Sequence, residues 1–357
     1  MPNHKFIMYS LPTDISHTLQ NGNISYSKDS SVSQLSVSFQ NANNELVDSK
    51  RIIVAPNTKL ELFFSMGNNE EISIGTFYID RTSVSNPDGD ISVTARNAIG
   101  KLLKEQTFDE DNSFTEATLQ ENLVAILTLA EVENFFISDP QRNWKLTFKP
   151  ELNLLNGIEQ VISLIPQWQI RENTDGTIGI GAIIDGRFEQ PSTYIFERDK
   201  TCWSYNAEYD DEQTFSKLCI SCKEPANTIY VQLPPHKWWV SPKNKTMYID
   251  VPDGTSLSDM QALANEISEL IAISGKTETF AGIFTPQLII GDIIELTETD
   301  GKHSIIGTVT SVRHTIGKGG FYTEFTVDSG GRKGKPLLKD FVGQISGNKK
   351  TDGVVIS

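Results

Sequence analysis

Residues 286–327, PQLIIGDIIELTETDGKHSIIGTVTSVRHTIGKGGFYTEFTV, decide the fold class. Apolar and polar residues alternate at Ile294 and Leu296 and again at Phe325 and Val327, with Val309 and Val312 on a run between them. Successive side chains of a strand point to opposite faces of its sheet, so this spacing predicts strands with one face buried. Turn residues punctuate the runs at Gly291-Asp292, Asp300-Gly301 and Gly319-Gly320. The stretch reads as four short antiparallel strands in a row. His314 is placed at the polar end of the strand TVTSVRH, as a structural hydrogen-bonding group, and His314→Gln is expected to leave assembly intact.

The same pattern fills the first third of the chain. Val32, Leu35, Val37 and Phe39 alternate with serines and glutamine, followed by Leu60, Leu62 and Phe64, then Ile72, Ile74, Phe77 and Ile79. NPDGD at 86–90 supplies a turn, so residues 1–103 are expected to form a closed or half-closed antiparallel barrel. Near Lys104 the period changes to 3.6. Leu119, Leu123, Ile126, Leu127 and Ala130 share one helical face, with a capping box expected at Ser113 and Glu116 or a cap near Thr115. Leu155, Ile158, Val161, Ile162 and Ile165 form a second stripe, ended by Pro166, and Asp175-Gly176 marks a hairpin. Residues 104–196 therefore read as a small α+β insert. Strands resume at 197–232 and 277–330 as a second barrel. Between them, 233–276 carries a helix striped by Met260, Leu263, Ile267, Leu270 and Ile271. Residues 331–357, rich in Gly and Lys, read as an extended tail that orders only against a partner. The fold class is β-rich α+β: two antiparallel barrels, a small α+β insert and a helix-containing insertion.

Composition narrows the function. The 357 residues hold 46 acidic and 31 basic side chains, a formal charge of −15, which opposes tight binding to a phosphate backbone. Three cysteines make no disulfide framework. The N-terminal residues lack the basic-then-apolar layout of a signal peptide, so synthesis in a cytoplasm without ordinary secretion is expected. Cys219-Ile-Ser-Cys222 is the nearest approach to a metal motif, with Cys202 and His236 as the only completing ligands. Residues three apart in a strand face opposite sides, and no metal or cofactor is expected. The five histidines are His4, His17, His236, His303 and His314, and none lies in an elbow or zinc-protease motif. No catalytic residue is assigned, and no enzyme activity is expected. The acid clusters DEDNS, YDDEQ and ELTETD read as solvated turns, and GKGG at 317–320 lies between strands rather than before a helix. Trp238 and Trp239, with Trp203 and Tyr205, are the candidates for stacking a sugar.

Two stretches carry a family resemblance. Pro286, Gly291-Asp292, Ile294, Leu296, Val309, Val312, His314, Gly319-Gly320, Thr323, Phe325 and Val327 resemble the second barrel of phage tail hub proteins. IGTFYIDRTSVSNPDGDISVTARNAIGKLLKE, residues 74–105, resembles their first barrel. That family includes baseplate hubs, late control protein D, the N-terminal hub domain of tail-tip proteins and relatives in phage-tail-like bacteriocins. The resemblance implies two tube-forming barrels per chain, a homotrimer whose six barrels ring a conduit, and the inserts outside it. It implies as partners a distal tail or tube-adaptor protein above, the tape-measure protein, and a tip, spike or receptor-binding protein below. DNA would pass through without specific binding; three chains of −15 sum to −45, which repels phosphate. The chain stops soon after the second barrel, at DGVVIS, so a lytic domain on the same polypeptide is not expected. The alternative is a tail-associated cell-wall-binding or cell-wall-degrading protein.

Overall fold

The alternating runs of the first hundred residues become strands because each has one apolar face to bury. In the computed structural model they are β1 (His4–Ser10), β2 (Thr13–Asp14), β3 (Leu19–Ser27), β4 (Ser30–Gln40), β5 (Lys59–Met66), β6 (Glu71–Val84) and β7 (Asp90–Arg96). They pair antiparallel in the order β3-β4-β7-β6-β5-β1-β2. Leu35, Val37, Phe39, Leu60, Leu62, Phe77 and Ile79 close into one core. Strand β7 shows the alternation cleanly, burying Ile91, Val93 and Ala95 and exposing Asp90, Ser92 and Thr94. Val32 departs from its run, packing half-buried against the core of the α+β insert. The structure describes residues 4–328 and 354–356, apart from 11–12, 28–29, 42–45, 47–51, 67–70, 86–88, 110–112, 117, 139–144, 163–167, 183–192, 210–213, 224–225, 237–239, 252–256, 272–275, 298–303 and 318–319.

A polar joint leads from this barrel into the insert. Arg96 grips Asp80 of β6 with Nε to Oδ2 at 2.5 Å and Nη2 to Oδ1 at 2.7 Å, and it also reaches Glu105 and the Gly100 carbonyl. A bidentate guanidinium–carboxylate pair fixes direction as well as distance. Asn97, buried, accepts the Gly100 N–H and donates to the Ser31 carbonyl, starting the π-helical turn Ile99–Leu103. Beyond it come β8 (Ser113–Phe114), α1 (Leu119–Leu129), β9 (Phe135–Ile137), β10 (Leu146–Phe148), α2 (Leu154–Ile162), β11 (Trp168–Glu172) and β12 (Ile178–Ala182). Both helices bury their expected stripes; Ile165 lies outside the described residues. The cap of α1 differs from expectation. Ser113 is in β8, paired with β10, and the capping box is closed by Thr118 and Glu121 at the next hydroxyl–carboxylate spacing. Gly176, at φ 86°, turns the β11–β12 hairpin, and β9 adds parallel to β12.

Next follow β13 (Thr193–Glu197), β14 (Cys202–Tyr209), β15 (Lys217–Cys222), β16 (Asn227–Gln232), β17 (Thr246–Asp250), α3 (Leu257–Ile271), β18 (Lys276–Ile283), β19 (Ile293–Thr297), β20 (Ser304–Gly317) and β21 (Tyr322–Asp328). Strands β15 and β16, placed by the sequence with the second barrel, instead pair with β17 in a separate three-stranded sheet. That sheet lays Leu218, Ile220, Cys222, Met247 and Ile249 against Met260, Ala264 and Ile267 of α3. The helix-bearing unit thus begins near residue 215 rather than 233. In the other direction, β13 leaves the α+β insert and pairs parallel with β19. The second barrel is built from β13, β14 and β18–β21 around Phe196, Phe280, Leu296, Val309, Val312 and Phe325. The C-terminal β22 (Val354–Ile356) pairs with β10 of the insert.

The stretch expected as four strands is three, because β20 is one continuous strand of 14 residues. One of its edges bonds β21. Its other edge bonds β19 from Ser304 to Thr308 and then β3 from Ser311 to Gly317. The register slips between Val309 and Ser311, a bulge at Thr310; an extra residue bends and twists a strand without ending it. The two barrels therefore share one 13-stranded sheet.

Two predictions follow from this packing. Gly22 of β3 lies between Val37 and Ile316, and a Cβ there would sit 2.6 Å from Val37 Cγ1 and 3.0 Å from Ile316 Cγ1. Gly22→Val should cost about 1–3 kcal/mol through overpacking of the joint, read as a lowered midpoint in thermal or denaturant unfolding. Thr118→Ala, which removes the cap of α1, should cost about 1 kcal/mol in the same assay.

Candidate functional site

The joint between the barrels gathers polar and aromatic side chains around His314. His314, expected at a strand end, sits in the interior of β20 with 1% of its surface exposed. That corrects its placement at the end of the strand, while its reading as a structural hydrogen-bonding group stands. Its Nδ1 lies 3.0 Å from Thr323 Oγ1, which also accepts the Thr285 N–H at 2.9 Å. Tyr26 and Phe284 meet the imidazole edge-on, with centroids at 6.0 Å and 5.4 Å. Phe284 in turn packs on Phe64 of β5 and on Phe321. The Tyr26 hydroxyl donates to the Ile74 carbonyl at 2.8 Å. Aromatics from both barrels thus converge on one imidazole. Burial holds its pKa down at about 3, so it is neutral. A buried neutral imidazole bonded to a threonine hydroxyl and packed between two aromatic rings serves as a packing and hydrogen-bonding group.

The turn entering this region is as specific. Gly291 adopts φ 93°, a left-handed conformation that favours glycine, and buried Asp292 accepts the Ile289 N–H through Oδ2 at 3.0 Å. Gly291-Asp292 therefore turns the chain into β19, as the sequence indicates.

The second feature is the open side of the second barrel. Among the described residues β14 pairs along its length only with β18, and it ends the 13-stranded sheet. Trp203 is 55% exposed and Tyr209 60%, with Tyr205 half-exposed between them on the same strand. The Tyr205 hydroxyl donates to Glu278 Oε1 at 2.8 Å, and Lys276 Nζ reaches the same oxygen at 2.8 Å. Glu278 is fully buried, and its Oε2 has no partner among the described residues. The other end of the sheet is β2, which covers only the last two residues of β1. Uncovered edges are pairing surfaces.

The remaining candidates do not assemble. Cys219 and Cys222 face opposite sides of β15, with Cys222 in the helix-bearing core, and Cys202 lies in the second barrel; all three are buried. His236 is buried in the loop after β16, its N–H donating to Ser241 Oγ at 2.8 Å. His4 lies on β1, and His17 is exposed in a 3-10 turn. No group of three or more His, Cys, Asp or Glu is placed to hold a metal among the described residues. Trp238, Trp239 and His303 lie outside the described residues, as do residues 110–112, 210–213 and 298–300 of the acid clusters.

No protein-family model matches the sequence, and no curated protein matches it. Solved structures do match. A tail protein from Neisseria meningitidis MC58 superposes with a TM-score of 0.65 at 11% identity, covering 97% of this chain and 99% of that one. The chain has the fold of phage tail proteins. The 43 kDa tail protein of prophage MuSo2 from Shewanella oneidensis gives 0.63 at 10% identity over 92% and 99% of the two chains. Prophage tail protein gp18 from Listeria monocytogenes gives 0.53 at 13% over 90% and 94%. The tail fold covers the inserts as well as the barrels, so the two-barrel reading from residues 74–105 and 286–327 concerns one continuous architecture. The feature missed in the sequence was the change of partner along β20, since TVTSVRHTIG carries no residue that marks a bulge.

One pH prediction follows from His314. Its ordinary pKa is near 6.5 and its native value about 3, so between these values the unfolded chain binds more protons. Stability should therefore fall as pH falls through that window. In denaturant titrations, His314→Gln should flatten this fall relative to the parent. Parallel pH profiles for parent and variant would contradict it.

Proposed function

We propose that the chain is the structural hub at the distal end of a phage or phage-like tail, where it continues the tail tube and joins it to tip or receptor-binding components. The single observation that carries this reading is the two-barrel body fused by β20, in a fold shared nearly end to end with tail proteins. Two barrels in one chain would place six barrels around the axis of three copies. The two ends of the shared sheet are different surfaces, β14 at one and β1–β2 at the other. Unlike surfaces meeting head to tail form a ring when the rotation closes, which suits a homotrimer. A charge of −15 per chain keeps a conduit from holding DNA. The tube-adaptor protein above, the tape-measure protein and a tip or spike protein below are the partners this position supplies. The role proposed is structural rather than catalytic, in keeping with the tail proteins that share the fold.

Light scattering on the purified chain should give three times the monomer mass, and electron micrographs should show a ring with a central hole. A monomer at every concentration tested would contradict the hub. Zymography on bacterial cell walls should stay blank. A clear zone lost on changing one carboxylate would establish the lytic alternative instead.

A further inference from the structure

The sheet of β15, β16 and β17 buries one face against α3. Its opposite face carries a row that sequence order conceals. Cys219 of β15 stands in register with Tyr230 of β16 on one side and Tyr248 of β17 on the other. The two rings are 74% and 73% exposed, while the thiol between them is buried. The Tyr230 hydroxyl is hydrogen-bonded to the Cys219 thiol on the neighbouring strand. Two strand spacings separate the tyrosines, about 9.5 Å.

The flanking rows are polar. Ser221 donates to Asp250 beyond one side of the tyrosine row, and Lys217 lies on the other; threonine and glutamine complete the face. It shows no aliphatic side chain, whereas the centre of a protein–protein contact is desolvated and apolar. Its one lysine and one aspartate cancel, leaving a neutral patch on a chain of formal charge −15, so its complement is an uncharged polymer rather than a polyanion or an anionic membrane. Tyrosine, with an apolar ring and a polar tip, is enriched where a surface meets a ligand.

We propose that this face is a carbohydrate platform for an extended β-1,4-linked polysaccharide, with Tyr230 and Tyr248 each stacking on one of two alternate sugar rings. Alternate rings of such a chain present the same face and repeat on the length scale of two strand spacings. Ser221, Asp250 and Lys217 hydrogen-bond the hydroxyl or acetamido groups at the ring edges. This inference does not depend on the hub reading, since it concerns a separate sheet and a separate measurement.

Calorimetric titration of the full-length protein with chitohexaose and with cellohexaose, up to millimolar sugar, tests it, with retention on purified bacterial sacculi as a second readout. At least one of the two oligosaccharides should bind. Tyr230→Ala and Tyr248→Ala should each weaken binding about tenfold, equivalent to about 1.4 kcal/mol, and the double variant should abolish it. Tyr230→Phe, which keeps the ring, should retain binding, and Tyr209→Ala, at the second barrel, should leave it unchanged. Preference for chitohexaose would assign an acetamido-sugar polymer, and equal binding a hydroxyl-only recognition. Failure of the parent protein to bind either oligosaccharide, or a double variant that binds as the parent does, would overturn the proposal whatever the oligomeric state.

Discussion

The hydrogen bonding of β20 to β3, from Ser311 to Gly317, is the constraint on which the rest of the molecule depends. Without it the chain would hold two independent barrels on a long tether. With it, the second barrel is a continuation of the first, at an angle set by the twist of one sheet and the bulge at Thr310. Close approach at the joint requires Gly22, over which Val37 and Ile316 close. It also requires Gly317, where a Cβ would lie 2.4 Å from Asn21 Oδ1. His314, Thr323, Tyr26 and the phenylalanine cluster then fill the joint with groups that pack in one arrangement. In the proposed ring, this joint would set the angle between neighbouring barrels.

The α+β insert is fixed to that frame by a polar joint and by Val32 and Tyr78 of the first barrel, which pack on its core. Arg96 with Asp80 and Glu105 directs the chain out of the first barrel, and its guanidinium pKa is raised first by the Asp80 hydrogen bond. The return strand β22 closes against β10 of the α+β insert. The helix-bearing unit has a core of its own, and its opposite sheet face is exposed at Tyr230 and Tyr248. Such a division is common where one part of a protein sets geometry and another meets a ligand.

Much of this was legible in the sequence. Period-two spacing marked the strands of both barrels, and the stripes Leu119–Leu127 and Met260–Ile271 marked helices, because burial of one face imposes those periods. The residues between 215 and 232 were assigned to the wrong sheet for a physical reason: alternation says which face of a strand is buried, never which strand lies beside it. His314 was misplaced because its strand continues through Thr315 and Ile316 to a glycine that looks like a terminator. The cap of α1 was misread because Ser113 and Thr118 both precede the helix, and only the pairing of β8 with β10 removes the first. The tyrosine row was hidden because its three members lie on three strands and become neighbours only through register.

The central claim is position in the particle, and labelling tests it most directly. Intact phage or phage-like particles carrying this chain should be imaged by electron microscopy with an antibody raised against it. The account predicts label confined to the distal tip of the tail. Label along the tube shaft or on the head would contradict it.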